Sequence, residues 1–136
     1  MDRSLAREIA MKMLYAASLG GEESMTEVLE QSEQTDTLSS GDKTLLENLV
    51  AGVTAHQQEL DDIIGQYAQG WALNRLARVD LTILRMAVYE IRYMPEVPVG
   101  ATINEAVELS KQFCEDKSSG FINGILGSVA RAQTDE

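Results

Sequence analysis

Catalysis needs side chains that titrate, coordinate or attack, and this chain offers few of them in working arrangements. In the run INEAVE, Glu105 and Glu108 stand three residues apart. On a helix that spacing brings two carboxylates to one face, as in metal or acid–base sites. A di-metal site in a helical bundle also wants a Glu-x-x-His pair, and the single histidine, His56, does not complete one. Solvated helix charges are the better reading. Cys114 has no histidine partner in any signature arrangement and reads as a packed or partly exposed thiol. The glycines of GFINGILG fall on a helical pattern with no preceding strand, so they make no dinucleotide loop; Gly120, Gly124 and Gly127 read as positions of close packing or solvation. Nothing here argues for an enzyme, and no cofactor or metal is implied.

A second set of residues suits nucleic acid. Arg3 and Arg7 lie one turn apart near the N-terminus with Tyr15 further along, while Lys111, Phe113, Lys117 and Phe121 gather around one junction. Unstacked RNA bases can lie on aromatic rings while phosphates meet cations. On composition alone a structural role outweighs this, because Phe113 and Phe121 also fit core stripes and arginine is common at helix edges.

The elements that must position these residues are all helical. Residues 75–92, RLARVDLTILRMAVYEIR, repeat apolar side chains at spacings of three and four through Leu76, Val79, Ile83, Leu84, Ala87, Val88 and Ile91. This predicts a central helix with Asp80 as its cap and Pro95 and Pro98 beyond its end. Its polar residues, Asp80, Arg85 and Glu90 among them, are candidates for a face that meets a protein partner.

The first helix is predicted over 3–18, capped by Asp2, with Leu5, Ile9, Met13 and Leu14 inward and Arg3, Arg7 and Lys12 on a polar edge. Gly20 and Gly21 break it, and Ser24 to Glu27 form a capping box for a short second helix. Residues 31–41 are too polar to anchor themselves and read as a mobile loop. A third helix from about Asp42 carries Leu45, Leu46, Leu49, Val50 and Val53, and a fourth, nearly continuous with it, runs from about Gln57 to Tyr67. Trp71 and Leu73 lead into the central stretch, and a sixth segment follows Pro98. The last helix has Ser118 and Ser119 as available caps, and residues 132–136 should fray. No period-two pattern occurs, so the expected class is all-α, with about seven helices in a single domain over residues 1–136.

A chain of 136 residues can bury roughly two thirds of its unfolded surface, and its apolar runs fall short of a membrane span. The N-terminus lacks the continuous apolar core of a secretory signal, so a cytoplasmic location is expected. The net charge of -11 argues against nucleic acid. Its distribution matters more, because residues 22–62 hold eleven acids against one base, Lys43, and the rest of the chain is nearly balanced. The N-terminal helix and the C-terminal half could therefore still approach an anion.

The segments AREIAMKMLY, LVAGV, RLARVDLTILRMAVYEI, VPVGATINEAVELSKQF and FINGIL, in this order and spacing, resemble the NusB family of bacterial transcription antitermination factors. The resemblance implies two packed three-helix bundles around a central helix. It also implies binding of boxA-like single-stranded RNA jointly with a small-subunit ribosomal protein, NusE. The pair joins the RNA polymerase antitermination complex on ribosomal RNA operons. By the same resemblance Arg3, Arg7 and Lys111 match basic positions, Tyr15, Phe113 and Phe121 match aromatic positions near the RNA and protein interfaces, and Asp80 matches an acidic position beside the aromatics. Relatives often carry a dense arginine run before ARE; here Ser4 and Leu5 separate Arg3 from Ala6. Each missing phosphate contact flattens the salt dependence of binding by about one unit of slope, so weak RNA binding is expected. Lys117, in a loop often acidic in relatives, offsets part of that loss. The alternative is a homodimeric or protein-only adaptor, in which the acidic 22–62 segment favours a basic protein partner.

Overall fold

The computed structural model describes residues 3–21, 27, 37–68 and 76–134. Among these the regular elements are six α-helices: α1 Arg3–Gly20, α2 Ser40–Ala55, α3 Gln57–Tyr67, α4 Arg78–Tyr93, α5 Val99–Phe113 and α6 Ser118–Thr134. The all-α class read from the apolar periodicity is therefore the observed one. Of the expected short helix near Met25, only Glu27 is described, and it is helical. Asp2, Trp71 and Leu73 also lie outside the described residues, as does most of the 31–41 segment. The chain divides into two compact units, Met1–Thr54 and Ala55–Glu136.

In the first unit, α1 runs through Gly20, two residues past the predicted end at 18, and stops at Gly21. Gly21 takes φ 81°, a left-handed conformation that a Cβ would disfavour, and its N–H donates to the Ala17 carbonyl at 2.9 Å. Ala6, Ile9, Ala10, Met13 and Leu14 are buried as their spacing requires. α2 begins at Ser40 rather than Asp42, because Ser39 is the cap: its Oγ accepts the Asp42 N–H at 3.1 Å. The stripe Leu45, Leu46, Leu49 and Val53 is buried.

In the second unit α4 is central, touching α3, α5 and α6. Ile83, Leu84, Ala87, Val88 and Ile91 are at most 3% exposed. Each of the larger side chains contributes about 1.5–3 kcal/mol by leaving water. Contact on several sides also buries polar residues of α4, including Thr82 and Glu90. The expected cap is corrected here. The helix starts at Arg78 with Ala77 as N-cap, and Leu81 N–H donates to the Ala77 carbonyl at 3.0 Å. Asp80 is therefore already inside the first turn. At the other end Met94 N–H closes on Glu90 O at 3.0 Å just before Pro95, which has no N–H to extend the ladder. Pro98 is the N-cap of α5, and its carbonyl accepts from Ala101 and Thr102 at 3.0 and 3.1 Å. α6 stays helical to Thr134, past Ala132 where the sequence predicts fraying, and Gln133 Nε2 donates to the Ile91 carbonyl at 2.9 Å.

Candidate nucleic-acid interface

Where α5 gives way to α6, beside the first turn of α4, the second unit holds an open cleft of about 880 Å³. Phe113, Lys117 and Phe121 line it together with Leu76, Val79, Asp80, Cys114 and Ser118. Local chain geometry accounts for the grouping. α5 ends as Cys114 turns extended, at φ -118° and ψ 176°, with its N–H still bonded to Ser110 O at 2.9 Å. A tight turn follows, with Ser118 N–H on Glu115 O at 3.0 Å, and α6 starts at once. Two half-buried phenylalanines eight positions apart thereby become walls of one cleft, with exposed Lys117 between them. Glu115 also lines the cleft, so its charge is mixed. Rings beside a cation are the equipment for stacking a base and meeting a phosphate.

The floor is polar and was only partly legible. Asp80 is 8% exposed, and its Oδ2 accepts the Ser118 hydroxyl at 2.8 Å. Ser119 Oγ lies 2.8 Å from Ser110 Oγ on α5. Both serines expected as caps of α6 are thus engaged in tertiary bonds. The Cys114 thiol is pushed up to about 12, by burial first and then by the Asp80 carboxylate, which favours its protonated form. This is a partly exposed thiol held in its protonated form, the opposite of an activated nucleophile.

The remaining expected site residues fall in several places. Lys111 is exposed on α5, with Nζ 3.4 Å from Glu108 Oε1; both side chains are more than half exposed, so the pair contributes little. Arg3 is exposed and Tyr15 half-buried on α1 in the first unit. Arg7 requires a correction. It is 4% exposed and does not lie on a polar edge, so its guanidinium is not presented to a phosphate. The three residues expected on a face that meets a protein partner are each engaged within the second unit. Asp80 and Glu90 are buried, Glu90 accepting the Thr102 hydroxyl at 3.2 Å, and Arg85 is bound to Asp61. The glycine reading resolves towards solvation, since a Cβ at Gly120 or Gly124 would meet open space.

One cluster went unrecognised. His56, Tyr89 and Tyr93 stack at the α3–α4 contact, with centroids 4.5 Å apart for His56–Tyr93 and 5.2 Å for Tyr89–Tyr93. The Tyr93 hydroxyl donates to Glu59 Oε2 at 2.7 Å, and that carboxylate raises the phenol pKa above its usual value. The signal was the four-residue spacing of the two tyrosines on α4. Among the described residues no group of three or more His, Cys, Asp or Glu is placed to hold a metal ion, and no helix is long and apolar enough to cross a membrane.

Comparison with known proteins adds an independent line. The profile of the NusB family matches residues 4–131. The transcription antitermination protein NusB of Acetivibrio thermocellus is 39% identical over 133 residues, covering 98% of this chain and 91% of that protein. Among solved structures, NusB of T. maritima superposes with a TM-score of 0.85 at 30% identity, over 96% of this chain and 92% of the other. A crystal structure of antitermination factors NusB and NusE in complex with dsRNA gives a TM-score of 0.83 at 28% identity, covering 96% of each chain.

Proposed function

Because this chain belongs to the NusB family, we propose that it is a non-catalytic transcription antitermination factor that binds boxA-type RNA jointly with a ribosomal protein of the NusE type. It would act in ribosomal RNA transcription as part of the RNA polymerase antitermination complex. The observation that carries the reading is the convergence of Phe113, Lys117 and Phe121 on one cleft. Two rings and a cation on one open cleft suit a single strand with its bases unstacked. Arg3, Tyr15 and Lys111 are proposed as further contacts; Arg7, being buried, drops out of the phosphate-binding set. With so few cations the RNA interface is weak by itself. A protein partner bound to the same RNA raises the joint affinity, because the second contact becomes intramolecular.

Titrating boxA-type RNA into the protein with and without the ribosomal protein tests this. Tighter binding with the partner is expected, and its loss in Lys117→Ala and Phe121→Ala assigns the cleft. Equal, negligible affinity in both cases would leave the second reading, a homodimeric or protein-only adaptor. The burial of Arg7 favours that alternative, and sedimentation across a dilution series would reveal the dimer.

A further inference from the structure

We propose that Ser118 and Asp80 form a positioning pair that sets the first turn of α6, and with it Lys117 and Phe121, for binding in the cleft. The inference rests on the RNA reading for its purpose and on the structure for its geometry. A helix N-terminus is normally secured by a side chain capping its free N–H groups. Here the two serines at the start of α6 are tied elsewhere: Ser118 Oγ to Asp80 Oδ2 on α4 at 2.8 Å, and Ser119 Oγ to Ser110 Oγ on α5 at 2.8 Å. The backbone of that turn is loosely closed, with Phe121 N at 3.5 Å from Lys117 O, well beyond the usual 2.9–3.0 Å or so. Lys117 is the residue whose carbonyl accepts this long bond and Phe121 the one whose N–H donates it, so the two cleft residues sit at the ends of the turn the serines hold. Asp80 is suited to the anchoring role. Its carboxylate is buried, and Oδ2 accepts the Ser118 hydroxyl at 2.8 Å, a stronger donor than the neighbouring Cys114 thiol that also bonds to it.

The test compares Ser118→Ala with Ser118→Thr in the full chain, reading boxA-type RNA affinity at several salt concentrations and amide hydrogen exchange across 118–122. Ser118→Ala is expected to weaken RNA binding about tenfold, the size of one lost bond to a charged group. Because no phosphate contact is lost, the slope of affinity against salt should stay at the wild-type value, whereas Lys117→Ala should lower it. Exchange at the first turn of α6 should accelerate in Ser118→Ala and return to wild type in Ser118→Thr, which keeps the hydroxyl. Unchanged exchange in Ser118→Ala overturns the proposal, and so does a drop in salt slope equal to that of Lys117→Ala, which would make Ser118 a direct phosphate contact. If the wild-type chain binds no RNA, the RNA reading fails, while the exchange comparison still decides whether the pair sets the turn. Should Ser118→Ala not fold, Asp80→Asn replaces a charged bond by a neutral one while keeping the shape. Faster exchange at the same amides supports the pair, and wild-type exchange there overturns it.

Discussion

Arg85 grips Asp61 through two parallel bonds, Nε to Oδ1 at 2.7 Å and Nη2 to Oδ2 at 2.9 Å, joining α4 to α3. The side chains are 15% and 18% exposed, so the pair is largely shielded from water. Forked bonds of this kind are stronger than surface ion pairs and depend on the planar guanidinium. Arg85→Ala should cost about 1–3 kcal/mol, and Arg85→Lys should recover only part of it. Urea unfolding of both variants, of Asp61→Asn and of the double variant Arg85→Ala with Asp61→Asn checks this. Strict additivity of the two single changes would show that the bonds contribute no coupling.

Ile83 and Leu84 are 1% and 0% exposed in the middle of α4. Truncating either to alanine removes apolar contact and leaves a cavity, at a cost of about 2–5 kcal/mol. A lower denaturation midpoint with an unchanged denaturant slope is the expected signature.

The two N-terminal arginines should behave differently. Arg3 is exposed, so Arg3→Ala should leave stability nearly unchanged and lower the salt slope of RNA binding by about one unit. Arg7 is 4% exposed, so Arg7→Ala should chiefly lower the thermal midpoint, as loss of buried packing and hydrogen bonding does. Thermal melts beside salt-dependent binding separate the two outcomes, and a stable Arg7→Ala with a flattened slope would restore Arg7 to the polar edge.

Cys114 gives a pH prediction. Its thiol is raised from the ordinary 9.0 to about 12 in the folded chain. Between those values the unfolded chain has lost the proton and the folded chain keeps it. The unfolded state thus binds fewer protons, and stability falls as pH rises across that window. Below pH 9 the contribution is fully present. Cys114→Ala should therefore flatten the alkaline decline in stability relative to wild type, and alkylation of Cys114 should stay slow until well above the usual thiol range. Rapid alkylation near pH 8 would contradict the raised value.

Tyr93 should show a raised phenol titration because Glu59 accepts its hydroxyl. Ultraviolet titration of the tyrosinates in wild type and Glu59→Gln checks the cause: the variant should titrate at lower pH. An identical curve would remove Glu59 as the origin.

The helices and the apolar residues they bury follow from information carried within a few residues of each site. The three-and-four spacing of Ile83, Leu84, Ala87, Val88 and Ile91 marks a buried stripe wherever the helix goes, and Gly21 and Pro95 end helices by their own backbone constraints. The aromatic–basic grouping at the α5–α6 junction was legible for the same reason, since a short turn leaves Phe113, Lys117 and Phe121 little freedom to separate. The polar residues were a different matter. Arg7 read as a polar-edge residue and Asp80 and Glu90 as part of a partner face because charges usually stay near water, and Ser118 and Ser119 read as caps because serines at helix starts usually are. Burial of a charge depends on a partner far along the chain: Ser118 lies 38 residues from Asp80, and Thr102 lies 12 from Glu90. No local pattern encodes those meetings. Local spacing thus specifies the described helices and the apolar side chains that leave water. The tertiary structure decided which polar groups go with them, because only packed helices bring a donor to a buried carboxylate.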